Sequence, residues 1–432
     1  MKKNTLLIIL LAVCSLLSAA DFSGLKIYLN PGHGGWDAND RNLATIPFAL
    51  GDTLGFYESK SNLVKGLYLR ELLQSRGASI ILSRTKNRTE DDRLLSEIAA
   101  EANANNVDAF LSIHSNAIGN NIGTNYLLLL FHGRDAKPKI PASLTMCNTA
   151  WPRMMNNQLT VWTNYTTSTN IRGDSTFYGT YGLGVLTPLT VPGFLSEGSF
   201  HDYNPEAHRL LNSDYCKLEA MNFYRYFCDY FQATLPATGI IAGFAKGKDE
   251  TINNTKFVYK AGTHDRWLPL NKAKVKLMNA AGDSLNFYQV DSLYNGVFAF
   301  HNLTPGTYKL RISAADHTTK DTTVNVVAAT TTYAKMLLTN PNIVVAKDTT
   351  PDFPHPVQEL GVVPLNNYKF NTATPIVPDW LNPNLIKKVL YRNEKLYVLT
   401  NEPKIIIANA VTTAKISEMN LTGISGGAVV LN

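Results

Sequence analysis

The chain has 432 residues, 45% hydrophobic and 17% charged, and at about 150 residues per domain this length excludes a single hydrophobic core and suggests two or three units. Charged residues are sparse while Thr, Asn and Tyr are plentiful, which favours a β-rich extracytoplasmic chain over a cytosolic one. The formal charge of +6 is mild and decides nothing by itself; no nucleic-acid partner is expected.

At the N-terminus, Lys2 and Lys3, the apolar run Leu6 to Val13 and the small residues Ser18-Ala19-Ala20 read as a secretory signal peptide cleaved after Ala20. The apolar run is short of the roughly 20 residues that span a bilayer, and no later segment is long enough, so no transmembrane segment is expected. Cys14 raises lipid attachment as an alternative, but Val13 stands where a small residue is expected. Soluble export to a periplasmic or extracellular compartment is the preferred reading, and it lowers the charge from +6 to about +4. Cys147, Cys216 and Cys228 are odd in number, without metal-type spacing, and imply no disulfide framework.

Residues 21–235 alternate short apolar runs with helical periodicity, the pattern of an α/β fold with an open, mostly parallel sheet and helices on both faces. Leu25 to Leu29 is the first expected strand. Ser61 to Arg76 has Leu63, Val64, Leu67, Leu72 and Leu73 near one face of a helix that Gly77 can end. Ile80 to Leu82 is the next strand, followed by a helix over Arg93 to Asn106 and strands over Ala109 to Ile113 and Tyr126 to Phe131. A long amphipathic helix opens at Asn204-Pro205-Glu206 and runs to about Phe231.

From Pro236 the texture changes to Thr-, Val- and Gly-rich strands, an all-β sandwich over residues 236–338. Residues 339–383 are rich in proline and read as an extended linker. Residues 384–432 form a β-rich tail. Its runs Lys395 to Leu399, Lys404 to Ala408 and Lys415 to Met419 resemble one propeller blade or a hairpin pair. The apolar Ala428 to Leu431, directly before the last residue, suggests a shortened form of a longer architecture.

Three candidate residues fall just beyond the carboxyl ends of short apolar strands: His33, His114 and Glu197. That edge is where open α/β sheets bind ligands. Glu58 joins them from the loop before the helix at Ser61. Two imidazoles and a carboxylate form a common catalytic zinc set that leaves a fourth position open, whereas a structural site is closed by four protein ligands. A second carboxylate within reach can act as general base, the role expected of Glu197. His132 and His208 read as ordinary surface histidines. His201, shortly beyond Glu197, is a secondary candidate for lining the same cleft.

These residues sit in blocks that resemble the zinc-dependent N-acetylmuramoyl-L-alanine amidase family over roughly Leu25 to Phe231. The strand followed by Pro31-Gly32-His33-Gly34-Gly35 matches the family's opening signature and implies that His33 is the first zinc ligand. Glu58, followed by Asn62-Leu63, matches the second. Ala102-Asn103, Asp108 and Ser112-Ile113-His114-Ser115-Asn116 match the third, and Glu197-Gly198 with Phe200 matches the catalytic glutamate. The resemblance implies one zinc ion, and hydrolysis of the amide bond between N-acetylmuramic acid and L-alanine in peptidoglycan or its fragments. Asn30 and Ile98 stand where the family usually has Asp and Arg, and Trp36 to Gly55 and Gly133 to Leu189 look like insertions bordering the cleft. The second region resembles the carboxypeptidase regulatory-like sandwich, through Gly239-Ile240-Ile241-Ala242-Gly243 and Leu303-Thr304-Pro305-Gly306-Thr307-Tyr308 among others. This implies a spacer role or a contact with glycan or protein.

Two rival readings remain. A zinc carboxypeptidase places Glu three residues after the first His, where this chain has Trp36. A non-catalytic wall- or glycan-binding protein on an amidase scaffold should have lost a ligand or Glu197, and all four residues are present.

Overall fold

The computed structural model describes residues 21–36, 42–43, 55–119, 123–156, 170–179, 181–252, 257–260, 263–342, 381–382, 385–392, 395–402, 404–409 and 414–420. The segment expected to be a signal peptide, nearly all of the expected Pro-rich linker and Ala428 to Leu431 lie outside them. The chain divides into two compact units, residues 1–347 and 348–432.

The first unit begins with a six-stranded sheet built from β1 (Lys26–Pro31), β2 (Ser79–Leu82), β3 (Ala109–Asn116), β4 (Leu128–Phe131), β5 (Ile171–Gly173) and β6 (Gly193–Phe200). The strand order is β2-β1-β3-β6-β4-β5. The first four strands in this order run parallel, and β4 reverses against β6. Successive side chains of a strand leave opposite faces, and β1 shows the consequence. Ile27 and Leu29 pack with Leu69 and Leu73 of helix α1 (Glu58–Gln74), whereas Tyr28 packs with Ile98, Ala99 and Ala102 of α2 (Leu95–Ala104). Helices thus cover both faces, as the apolar patterning implied.

Two details depart from the sequence expectation. The region read as an insertion contributes two helices, α3 (Pro141–Asn156) and the short α4 (Asp174–Phe177), besides β5. The helix α3 starts at a proline, carries Pro152 inside it, and buries Met146, Cys147, Ala150 and Met154 in the main core. The single expected helix over 204–231 is two helices, α5 (Asn204–Leu210) and α6 (Ser213–Tyr230). The break comes where Asn212 accepts a bond from the Tyr215 backbone N–H at 2.9 Å and so caps a new helix. Cys216 and Cys228 lie on one helix, and the three described cysteines are free and buried.

Residues 239–339 form two four-stranded sheets. One is β8 (Trp267–Pro269), β7 (Gly239–Thr251) and β11 (Val297–Leu303), with β14 (Thr331–Thr339) parallel to β7. The other runs β10 (Ser284–Gln289), β9 (Lys274–Asn279), β12 (Gly306–Ser313), β13 (Lys320–Val326). Ile241, Phe298 and Met336 of the first sheet share a core with Val275, Leu310 and Val324 of the second. The first sheet also packs on the α/β region, since Ile240, Ala242 and Ala299 belong to the same cluster as Phe223 and Phe227 of α6. The two regions therefore form one compact body.

The second unit, by itself, contains an antiparallel meander of β15 (Ile386–Arg392), β16 (Lys395–Thr400), β17 (Lys404–Asn409) and β18 (Lys415–Asn420). Its first strand extends the three expected runs to four. Among the described residues, no helix is long and apolar enough to cross a membrane.

Candidate metal centre

The strands β1, β3 and β6 are neighbours in the sheet, so residues separated by more than 160 positions meet at one edge. His33 lies two residues past β1, in the left-handed region at φ 62°, which is costly for a side chain with a Cβ and is held here by its surroundings. His114 and Glu197 are not beyond their strands as expected but within them, because β3 and β6 go on pairing through polar residues. They are register partners, so their side chains leave the same face of strands about 4.8 Å apart. Glu58 is likewise not in a loop: it is the first residue of α1, where a carboxylate gains from the helix dipole.

The structure brings His33, Glu58 and His114 together, with one ligand atom from each within 4.8 Å of the others. His33 Nε2 stands 3.2 Å from Glu58 Oε2, and His114 Nδ1 3.1 Å from Glu58 Oε1. Ligand atoms about 2.0–2.2 Å from a tetrahedral ion stand roughly 3.3 Å apart, so the spacing suits a small divalent cation. Burial opposes the Glu58 charge, but the His33 and His114 imidazoles beside it hold its pKa well below the usual carboxylate range. Burial lowers the His114 pKa, with Glu58 opposing, and a neutral imidazole is the form that binds metal. Asn62 Nδ2 at 3.0 Å and the Ser115 backbone N–H at 2.9 Å both donate to Glu58 Oε1 and fix the carboxylate.

Residues 27–224 match the family model described as N-acetylmuramoyl-L-alanine amidase. This segment belongs to that family. Over 191 residues the chain is 27% identical to N-acetylmuramoyl-L-alanine amidase CwlM of Bacillus licheniformis, covering 44% of this chain and 62% of the relative. It is 33% identical over 109 residues to the uncharacterized protein YqiI of Bacillus subtilis, covering 25% and 45%. The chain thus spans less than two thirds of either curated relative. Among solved structures it is similar to N-acetylmuramoyl-L-alanine amidase AmiC2 of Nostoc punctiforme, with 21% identity, TM-score 0.39, and coverage of 49% of this chain and 99% of that one.

Within the amidase domain, several residues around the centre escaped the sequence reading. Arg84, buried behind β2, donates to the carbonyls of Pro31 at 2.9 Å, Gly32 at 3.0 Å and Ser59 at 2.5 Å. It ties the His33 loop to the start of α1. The only sequence signal was a charged residue two positions after a short apolar strand. Arg84→Met is expected to leave these carbonyls unsatisfied, lowering stability by about 3 kcal/mol in denaturant unfolding and loosening metal retention on dialysis. His201 Nδ1 lies 2.9 Å from the Ser115 carbonyl and 3.7 Å from Glu58 Oε2, so it does line the centre. Tyr178, from the segment read as an insertion, is 47% exposed, yet its hydroxyl pKa is raised, first by partial desolvation and then by Glu197 and other neighbours.

Local shape explains two glycines. A Cβ at Gly32 would lie 2.0 Å from the His114 ring, and one at Gly198 would lie 2.1 Å from Glu219 Oε1. Glu219 itself pairs at 2.8 Å with the fully buried Lys65, so an ion pair underlies the strand residue that follows Glu197. Asn30 is buried and donates to Ser112 Oγ at 2.8 Å, a neutral partner for a neutral side chain. Ile98 packs in the core under Tyr28 and Phe110, and an Arg there would need a polar partner. Two expectations are corrected. His132 is only partly exposed and faces the buried Asp174 at 3.1 Å, and His208 is 3% exposed, with Nδ1 2.9 Å from the Leu293 carbonyl.

Proposed function

We propose that the chain is an exported zinc hydrolase that cleaves the amide bond between N-acetylmuramic acid and L-alanine in peptidoglycan. The observation that carries this reading is the convergence of His33, Glu58 and His114 within 4.8 Å, beside Glu197 on the neighbouring strand, in a domain of the amidase family. In this reading His33, Glu58 and His114 hold one zinc ion, which when bound polarises the scissile carbonyl and brings the pKa of water toward neutrality.

The chain's own residues do the rest. Glu197 accepts a proton from the attacking water and returns it to the departing amide nitrogen. The C–N bond breaks, the water oxygen stays on the lactyl carboxylate, and the stem peptide leaves with a free amino terminus. Asn62, Ser115 and Arg84 keep the acid and the loop in place, and Asn30 and the segments around Trp36 and Tyr178 tune which substrate fits. The sandwich is proposed as a carboxypeptidase regulatory-like module, and residues 1–20 as the signal peptide that places the enzyme at the wall.

The test is release of alanine-terminated stem peptides from purified peptidoglycan, read by mass. Chelation is expected to abolish release and zinc to restore it. A folded, zinc-loaded protein that releases nothing would leave a wall-binding protein as the reading.

A further inference from the structure

A cavity of about 460 Å³ opens beside α1, bounded by the α5–α6 junction and by the β10–β11 segment of the sandwich. Phe56 links it to the metal centre: it lines the cavity, and its ring stacks on His201, 5.6 Å between centroids, which in turn stands 3.7 Å from Glu58 Oε2. The cleft therefore reaches Glu58 through the Phe56 and His201 rings.

Its two ends carry opposite charge. At the end next to the His33 loop, Trp36 packs edge-on against Tyr57 at 5.2 Å, with Lys60 Nζ 6.0 Å from the indole centroid. Trp36 is 48% exposed, and Lys60 faces no carboxylate within ion-pair distance among the described residues. The floor is apolar, formed by Val64, Leu211 and Leu293. At the far end stand Asp214 and Asp291. Asp214 is held by the Tyr288 hydroxyl at 2.8 Å and by Lys217 at 3.0 Å. Asp291 accepts from neutral groups alone, the Asn212 and Asn295 side-chain amides and the Leu293 backbone N–H. Among the described residues no cation balances this partly buried carboxylate, although four bonds orient it. Holding an uncompensated charge at a cavity wall is unfavourable unless a ligand supplies the counter-charge.

We infer that this cleft is the stem-peptide subsite, with Lys60 taking the free carboxylate of the second stem residue and Asp291 and Asp214 taking the side-chain ammonium of a diamino acid at the third. The inference rests on the amidase reading, which supplies a ligand with these two charges in this order on the leaving side of the scissile bond. It gives the sandwich a direct part in substrate recognition, since Asp291, Leu293 and Tyr288 come from it.

The experiment compares kcat/KM for N-acetylmuramoyl-L-alanine with that for N-acetylmuramoyl-L-alanyl-γ-D-glutamyl-L-lysine. The wild type is expected to prefer the longer substrate at least tenfold. Asp291→Asn and Lys60→Glu are each expected to cut that preference about fivefold or more, mainly through KM. Because Asp291 also ties down a loop, Lys60→Glu, at an exposed position, keeps the test independent of folding. Equal kcat/KM for both substrates in the wild type, or an unchanged ratio in Lys60→Glu, would overturn the subsite. If the wild type cleaves neither substrate, the amidase reading fails. Calorimetric titration with free L-alanyl-γ-D-glutamyl-L-lysine then decides the cleft separately: binding weakened by Lys60→Glu upholds it, and no binding overturns it.

Discussion

Replacing Glu197 by glutamine is expected to lower kcat for amide hydrolysis by about a thousandfold, within the span seen for loss of a general acid–base group, while zinc content and thermal stability stay near wild type. The physical reason is the separation of roles around the centre. The glutamine keeps the shape and the register opposite His114, and the three groups proposed to hold the ion are untouched. What is lost is an oxygen able to accept the proton of water and return it to nitrogen. The amide cannot substitute, because its oxygen is a weak base and its NH2 only donates. Metal content by emission spectroscopy, alongside single-turnover hydrolysis, checks both halves. Loss of zinc together with activity would instead make Glu197 part of the metal set, and retention of more than a tenth of the activity would move the proton-transfer role elsewhere.

The candidate site was legible in sequence because its chemistry requires particular residues in particular short contexts. His33 needs glycines around it where a ring comes close, as the 2.0 Å approach to Gly32 makes concrete. His114 and Glu197 follow apolar runs that can only be central strands. The strand ends were less legible, since Ser112 to Asn116 and Glu197 to Phe200 are polar enough to read as loop, yet they hydrogen-bond to each other across the sheet. Glu58 was misplaced by one element for a similar reason: Tyr57 at the helix N-cap offers no side-chain cap, so no Ser, Thr, Asp or Asn announces the start. Helix α3 was missed because its prolines argue against a helix, while the buried Met146, Cys147, Ala150 and Met154 are what hold it on the sheet.

Burial created by distant segments was the least legible. His208 sits on a helix with a strong start signal, and its periodicity says nothing about Leu293, 85 residues later, which accepts its contact. Arg225 reads as the polar side of α6, yet it is 1% exposed and donates to Thr331 Oγ1 at 2.9 Å. In both cases the sandwich covers a helix face that pattern alone assigns to solvent. The boundary near residue 236 is therefore a change of secondary structure and not a gap in packing.

Asp265→Ala is expected to destabilise the first unit by about 3–5 kcal/mol, more than a typical core truncation, because it leaves two buried cations without their shared partner. Asp265 Oδ1 receives Arg209 Nη1 at 2.7 Å and Lys246 Nζ at 3.1 Å, and Oδ2 accepts from the Tyr203 hydroxyl at 3.1 Å. Arg209 also holds Glu206 at 2.6 Å, and Glu206 is bonded by Asn125 and Tyr215. The network joins α5 to β7 and to the turn before β8, so it bolts the amidase domain to the sandwich. Burial alone would raise the Asp265 pKa, but Arg209 and Lys246 outweigh it and hold the carboxyl below the usual range. The folded value lies below the unfolded value of about 3.9, so the contribution is complete well above that pH and is lost as acid carries the solution through it toward the folded value. Wild type is accordingly expected to lose denaturant stability below about pH 4 more steeply than Asp265→Ala does. Urea unfolding of both proteins from pH 7 to pH 3 reads the difference, and parallel curves would mean that the network carries no net stabilisation. A fragment ending at residue 235 lacks Asp265, Lys246 and the apolar cover of Ile240, Ala242 and Ala299 together, and is expected to be recovered unfolded or aggregated even though it contains every residue of the proposed active site.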